Sequence, residues 1–173
     1  MIAVTDDILE QDENHITLTV LRQILAHCGM GERYCVLPVS ELSSLTGRWM
    51  PYLLVESSPC QEQGLPCFSL CVSDYDSVRG GAERPRATYS LEAENADFAA
   101  RNVRRLRDAG YTFDLVGLGI IGRIHTISDS AAILRPTLIA ASAALSCGVS
   151  FADVVEVLNG ISTMLLHDHR MAR

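Results

Sequence analysis

The sequence predicts a three-layer α/β fold, with a mostly parallel sheet of P-loop-like topology and a small antiparallel β annex. Segments rich in β-branched residues alternate with helical segments, which is typical of this class. The chain starts with a strand-like run at 2–5, followed by a loop and a helix. Its 173 residues suit one domain with a sizeable core. The expected regions are the first part of the core (1–76), a linker (77–86), the annex (87–127) and the core helices (137–170).

The basic residues number 14 and are all arginine. The lack of lysine excludes a phosphate-loop lysine and a Schiff-base lysine. A net charge of −7 argues against binding to nucleic acid or to an anionic membrane surface. The acidic start is unlike a signal peptide, and no apolar run reaches the roughly 18 residues of a membrane span. We therefore expect a cytoplasmic protein that does not bind membranes.

Six cysteines are present, and the spacing of Cys60, Cys67 and Cys71 matches no common zinc site. We expect free thiols in a reduced compartment and no metal site. The terminal His-Asp-His at 167–169 is interpreted as part of a frayed helix end.

The run at 2–5 and the apolar stripe at 16–25, closed by Gly29, predict a strand, a loop and a helix. A phosphate-binding loop between such elements needs glycines and a lysine. This loop has neither, and carries five acidic residues that would repel a polyphosphate. They are Asp6, Asp7, Glu10, Asp12 and Glu13. We expect a solvated acidic loop that caps the next helix, and no binding of ATP.

Further strands are predicted at 34–39, 52–56, 67–72, 111–116 and 120–127. The run at 138–145 is apolar nearly all round, so it predicts a helix inside the core. Gly148 suits a left-handed cap at its end. Ser150 and Asp153 form a capping-box pattern that opens a second helix, which Gly160 is expected to end.

The C-terminal pattern resembles the central ATP-binding domain of the Mur ligases, the amide ligases of peptidoglycan assembly, and of the related folylpolyglutamate synthetases. In that family a strand ending L-x-G-R-H-N leads into N-A-L-A-A-I-A-A-A-L-x-L-G-V-S-x-x-D-I-x-x-L. The matching residues are Gly122, Arg123, Ala140, Ala141, Ala143, Ala144, Leu145, Gly148, Val149, Ser150, Asp153 and Leu158.

Two earlier segments extend the resemblance to residues 2–160. The family stretch x-T-Y-G…A-D-Y-x-A-x-N-V is matched in order by Thr88, Tyr89, Ala96, Asp97, Phe98, Ala100, Asn102 and Val103. The family opening I-A-V-T-G-T-N-G-K-T-T is matched only by its first four residues, Ile2 to Thr5. The resemblance concerns the central domain alone. The substrate domain before it and the domain after it have no counterpart in these residues.

The resemblance implies ATP and Mg²⁺ in an intact member, and it assigns vestigial nucleotide-site positions here. Glu56 matches a strand-end Glu that helps to hold the metal of ATP. Asp74 matches the Asp of an Asp-His pair in which Tyr75 replaces the His. His125 is offset by one from a base-contacting position after Arg123. The full set of candidates is Thr5, Asp6, Asp7, Glu56, Asp74, Arg123 and His125. The alternatives are a solvated loop that caps the next helix for the acids after the first strand, a surface or capping group for Glu56, an Asp-rich turn for Asp74, and a structural or solvent-facing role for His125.

These observations favour a non-catalytic Mur-ligase-like domain that acts as a binding or assembly module, without a cofactor. One alternative is a domain that binds a nucleotide or small anion through Arg48 and Arg123. Another is a subunit of an ATP-dependent amide ligase completed by a second chain. We expect a homodimer or a partner protein, because neighbouring family domains would otherwise cover apolar surface. The expected contact segments are 42–45 with 49–52, and 161–166.

Overall fold

The computed structural model describes residues 1–12, 15–44, 50–59, 65–78, 86–107, 110–128 and 130–171, and for 44 and 162–171 only the backbone. The strands are β1 (Ile2–Val4), β2 (Val36–Pro38), β3 (Leu53–Glu56), β4 (Leu70–Asp74), β5 (Arg86–Ser90), β6 (Phe98–Arg105), β7 (Tyr111–Gly117) and β8 (Ile120–Thr126). The α-helices are α1 (Asp6–Glu10), α2 (Ile16–His27), α3 (Leu134–Ser146) and α4 (Phe151–Met171). Short 3-10 helices span Val39–Ser44, Tyr75–Val78 and Ala131–Ile133.

The described strands form one eight-stranded sheet in the order β2-β1-β3-β4-β5-β6-β7-β8. Neighbours from β2 to β6 are parallel, and β6, β7 and β8 are antiparallel. The predicted α/β class and mostly parallel sheet are therefore confirmed. The expected annex is continuous with the core sheet, because Tyr89 and Ser90 of β5 pair with Phe98 and Ala99 of β6. Within the expected linker, Arg86 already begins β5 and 79–85 lie outside the described residues.

The two faces of the sheet are covered differently. On one face, residues of α1, α2, α3 and α4 pack with strand residues in one large apolar cluster. On the other face, Ala3, Leu54 and Cys71 pack with Leu42 and Leu65 in a smaller cluster. In the described residues this third layer consists of a 3-10 helix and of chain without regular secondary structure. None of the helices in the described part combines the length and apolarity needed to cross a membrane.

Helix α3 is buried on all sides, as its apolar run predicts, and it begins earlier, at Leu134. It contacts β3, β4, β5 and β6 beneath it and α2 beside it. Ala140, Ala141, Ala143 and Ala144 are almost fully buried. Small side chains on every face let the neighbouring elements approach closely, so α3 forms the centre of the helical layer.

The junction between α3 and α4 follows the predicted caps, but the end of α4 does not. Gly148 has a φ of +87°, a left-handed conformation that favours glycine. The Ser150 hydroxyl accepts a hydrogen bond from the Asp153 backbone N–H at 3.1 Å. The expected helix end at Gly160 is wrong, because α4 continues to Met171. A single glycine costs only about 1 kcal/mol in a helix, and the following residues keep helical periodicity.

The segment after β1 is more ordered than the solvated loop that we expect from its charges. Ile8 and Leu9 are buried in the core, and they hold the short helix α1 against it. Asp12 is also buried, with 3% of its surface exposed. The expected capping of the next helix is nevertheless present, and it places a carboxylate at the beginning of α2.

Candidate functional site

Five of the seven candidate residues lie along the carboxyl edge of the parallel strands. Thr5 follows β1, and Asp6 and Asp7 begin α1. Glu56 and Asp74 are the last residues of the parallel neighbours β3 and β4. In open α/β sheets the crevice beyond this edge is the usual place for a ligand. The polar contacts at this edge therefore decide what the site can bind.

At the end of β1, the acidic side chains have partners within the chain. The Thr5 hydroxyl donates to Asp7 Oδ1, which also accepts the Ile8 backbone N–H at 2.9 Å. The Ser57 hydroxyl, just after β3, donates to Asp7 Oδ2. The Ser40 hydroxyl donates to Asp6 Oδ1 at 2.9 Å. Both carboxylates are thus tied to hydroxyl groups of the same chain.

The N-terminus of α2 is occupied by the carboxylate of Asp12. Its Oδ1 accepts the backbone N–H of Ile16 at 2.9 Å, and its Oδ2 accepts that of Thr17 at 2.6 Å. These N–H groups form the positive end of the helix dipole, where an anion is most stable. The sequence analysis counted Asp12 among the acids but not as a site residue. The available signal was its position four residues before the apolar stripe of α2.

Glu56 is almost fully buried, and Arg86 and Ser73 are among its polar side-chain partners. Arg86 Nη2 lies 3.1 Å from Glu56 Oε1, with 11% and 2% of the two side chains exposed. The Ser73 hydroxyl donates to the same oxygen at 2.7 Å. A buried carboxylate needs such a partner to offset its lost hydration. Arg86 is not among the candidates predicted from the sequence, because it lies in the stretch expected to be a linker (77–86).

Asp74 pairs with an arginine that the sequence analysis also missed. Arg135 Nη2, in the first turn of α3, donates to Asp74 Oδ2 at 2.7 Å. The Arg135 guanidinium lies 5.9 Å from the centre of the Tyr89 ring. Burial raises the pKa of Tyr89, so its hydroxyl stays protonated. That hydroxyl donates to the backbone carbonyl of Glu56 at 3.3 Å, which links the two ion pairs.

Arg123 and His125 do not join this site. They lie on β8, six strand positions from β1, which corresponds to roughly 29 Å at the usual strand spacing. Arg123 Nε donates to Asp114 Oδ1 at 2.8 Å, and Asn102 Nδ2 donates to Asp114 Oδ2 at 2.7 Å. The hydrogen bond from Arg123 has the larger effect on the pKa of Asp114. Together with the one from Asn102, it holds this pKa below its usual value.

The outer edge of β8 is covered by a side chain of α4. The Asn159 amide donates to the Arg123 carbonyl at 3.0 Å and accepts the His125 backbone N–H at 2.9 Å. The amide thus replaces a neighbouring strand and protects part of the sheet edge from pairing with another chain. His125 therefore contributes its backbone to this edge.

A cavity of about 280 Å³ lies beside the occupied end of α2. Its wall includes polar side chains from the α1–α2 segment, from Ser57 and from Arg135 at the start of α3. Within the described residues, no group of three or more His, Cys, Asp or Glu side chains is arranged to hold a metal. The five described cysteines are free thiols, and burial raises the pKa of Cys147 to about 12.

No protein-family model and no curated protein matches the sequence. Solved structures do match, among them a UDP-N-acetylmuramoyl-L-alanyl-D-glutamate–2,6-diaminopimelate ligase, with 14% identity and a TM-score of 0.64 over 92% of this chain and 45% of that one. MurF from Acinetobacter baumannii matches with 14% identity and a TM-score of 0.60 over 91% and 44%. A pseudomurein peptide ligase type C from Methanothermus fervidus matches with 13% identity and a TM-score of 0.60 over 92% and 48%. The chain thus shares the fold of part of these ligases and spans less than half of their length.

Proposed function

We propose that this chain is a non-catalytic domain with a Mur-ligase-like fold, which acts as a binding or assembly module in cell-wall precursor metabolism or in related amide-ligase metabolism. The matched solved structures include a UDP-N-acetylmuramoyl-L-alanyl-D-glutamate–2,6-diaminopimelate ligase, MurF and a pseudomurein peptide ligase, and this supports the choice of metabolism. We place the protein in the cytoplasm, in line with its acidic composition and the free thiols of the described residues.

The observation that carries the proposal is the carboxylate of Asp12 at the N-terminus of α2. A polyphosphate bound in the usual way would need the same backbone N–H groups of Ile16 and Thr17. It would also meet Asp6 and Asp7, in a segment that contains no glycine and no lysine. The chain therefore supplies its own anion where a phosphate-binding loop receives one from the nucleotide.

The pairing of Glu56 provides independent support. The resemblance gives this residue a part in holding the metal of ATP, which requires an accessible carboxylate. Here one oxygen of Glu56 is engaged by both Arg86 and Ser73, and only 2% of the side chain is exposed. A cation at this position would be repelled by the guanidinium of Arg86, only 3.1 Å from that oxygen. The proposal therefore includes neither ATP nor Mg²⁺ as a cofactor.

The assembly role is supported by apolar side chains at the turn between β7 and β8. Leu118, Ile120 and Ile121 are exposed by 66%, 49% and 67%. Of the segments expected to make contacts, Met50 is 81% exposed, but Leu42, Tyr52 and Ile161 pack against the core of the same chain. Leu45, Trp49 and the side chains of 162–166 lie outside the described residues. We propose a two-fold dimer in which both copies contribute the β7–β8 turn, since a closed pair covers the same patch on each.

Calorimetry with ATP and Mg²⁺ tests the non-catalytic part of the proposal. We expect no heat of binding at millimolar nucleotide, with an intact Mur ligase titrated in parallel as the positive control. The same titration is carried out with Asp12→Ala, which lacks the carboxylate that occupies the N-terminus of α2 in the unaltered chain. Micromolar affinity of the unaltered chain for ATP would overturn this part of the proposal.

Light scattering at micromolar concentration tests the assembly. We expect roughly twice the chain mass of 18.9 kDa, since a dimer contains two chains. Ile121→Arg should return the mass to that of one chain, because a charge in the contact cannot be desolvated cheaply. Val103→Ser is the control, since Val103 is 40% exposed on β6 and lies outside the β7–β8 turn. If the unaltered chain is a monomer, the dimer proposal is wrong. If a different protein binds to the same turn, that protein replaces the second copy as the proposed partner.

A further inference from the structure

The cavity beside α2 has the size and lining of a small-molecule site. Its volume of about 280 Å³ is near the lower end for ligand pockets. Its wall is formed mainly by apolar side chains of α1, of α3 and the 3-10 helix before it, and of the residue after β5. These are Ile8, Leu91, Ala131, Ala132, Pro136 and Ile139. A lining of this kind favours an apolar ligand body, with a few polar groups to orient it.

One buried polar group in the wall lacks a hydrogen-bond partner among the described residues. It is Oγ1 of Thr17, a fully buried residue in the first turn of α2. A buried hydroxyl without a partner is costly, so most such groups are satisfied by protein, water or ligand. Rotation about χ1 moves the Thr17 hydroxyl to another staggered position, and threonine in a helix populates two such rotamers.

The charged groups in the wall are already compensated. Both oxygens of Asp12 accept backbone N–H groups of α2. Arg135 pairs with Asp74, and Ser57 donates to Asp7 just outside the wall. An anionic ligand would approach the carboxylate of Asp12 in the wall and that of Asp7 just outside it. A cationic ligand would compete with Arg135 for Asp74. The cavity is therefore best suited to a neutral ligand.

We propose that this cavity binds a small neutral molecule with an apolar body and one hydroxyl or amide group, which hydrogen-bonds to Thr17. The site does not depend on the proposed assembly function, since the β7–β8 turn is at the opposite end of the sheet order from β1. Gln11 is exposed in the wall and marks the open side of the cavity.

The test uses phenol and toluene as probes, because they share a ring and differ in the hydroxyl. Binding to the full chain is followed by two-dimensional amide NMR, with inorganic phosphate as a third probe. We expect phenol to shift the amide signals of Ile8, Leu91 and Ile139. Thr17→Val should weaken phenol binding about tenfold, the effect of losing one neutral hydrogen bond, and leave toluene binding unchanged. Thr19→Val, at an exposed position of the same helix, is the control.

A second variant tests the location independently of Thr17. Ala132→Phe fills the cavity from its exposed side and should abolish binding of both aromatic probes, with circular dichroism to verify folding. The proposal is overturned if phenol does not bind at millimolar concentration, or if Thr17→Val and Ala132→Phe leave its binding unchanged. Shifts at the same amides with phosphate, but not with phenol, also overturn it. Light scattering of the same samples reports the assembly separately.

Discussion

The parallel strands β1–β5 and the antiparallel strands β6–β8 belong to one sheet, but their polar groups are arranged differently. At the carboxyl edge of the parallel strands, the carboxylates of Asp12 and Glu56 are buried and paired inside the chain. In the antiparallel part, the side chain of Arg123 is 62% exposed even though it pairs with Asp114, and Ile121 is 67% exposed. The positions where this edge would hold a phosphate or a metal are thus occupied by groups of the chain itself, whereas the antiparallel part exposes apolar side chains.

The buried pairs of the parallel part are therefore expected to contribute more to stability than the exposed groups of the antiparallel part. Buried charge pairs of the parallel part are costly to break, because the remaining charge cannot be rehydrated. The Arg123–Asp114 pair of the antiparallel part contributes less, because the Arg123 side chain is 62% exposed and stays hydrated, although that of Asp114 is only 10% exposed. Substitutions in the two parts should therefore affect folding to very different degrees.

The largest effect is expected for Glu56→Gln. The amide retains an acceptor for Ser73 but leaves the guanidinium of Arg86, 11% exposed, without its counter-charge. We expect a loss of about 3 kcal/mol in the free energy of unfolding, measured by urea denaturation. The double variant Glu56→Gln/Arg86→Met is the control and should recover most of this loss. A single-variant loss under about 1 kcal/mol would contradict the importance of the buried pair.

The next largest effect is expected for Gly122→Ala, which tests packing in the antiparallel part. A Cβ at Gly122 would lie 2.5 Å from Val155 Cγ2 and 2.8 Å from Phe151 Cε1, both on α4. Either these two side chains must shift or β8 and α4 must separate, so we expect a loss of about 2 kcal/mol. Gly119→Ala in the same hairpin is an instructive comparison, because its Cβ meets nothing within 4 Å but its φ is +75°. Equal stability of Gly122→Ala and the unaltered chain would contradict the close approach.

Asp12→Ala should have a smaller effect on stability and a distinct effect on anion binding. The loss of an N-terminal cap costs about 1 kcal/mol, measured by thermal unfolding. The freed N–H groups of Ile16 and Thr17 should then accept inorganic phosphate, so added phosphate raises the melting temperature of the variant but not of the unaltered chain. Asp153→Ala removes the side chain at the start of α4 and provides the matched control. If phosphate stabilises both chains equally, the N-terminus of α2 is not occupied by Asp12.

The sequence predicts the elements of this fold better than the contacts of the site. Local patterns are sufficient for the buried helix α3, the cap at Gly148 and the capping box at Ser150, because each depends on residues close in the chain. The pairs Glu56–Arg86 and Asp74–Arg135 join residues that are 30 and 61 positions apart. No local pattern identifies such partners. A buried carboxylate predicts only that some cation or donor must be near it.

The smallest effect is expected at Asp114, and it depends on pH. The hydrogen bond from Arg123 lowers the pKa of Asp114 below its ordinary value of 3.8. Because the folded pKa lies below the unfolded one, the ionised group stabilises the fold above the unfolded value, and this contribution is lost as the pH falls through the folded pKa. Asp114→Asn should therefore have a slightly lower free energy of unfolding than the unaltered chain at neutral pH. In strong acid the two free energies should converge. Carboxyl NMR titration measures the pKa directly, and Arg123→Leu should move it up towards the ordinary value. An Asp114 pKa that is unchanged by Arg123→Leu would show that Asn102 and the backbone, rather than the exposed ion pair, determine its ionisation.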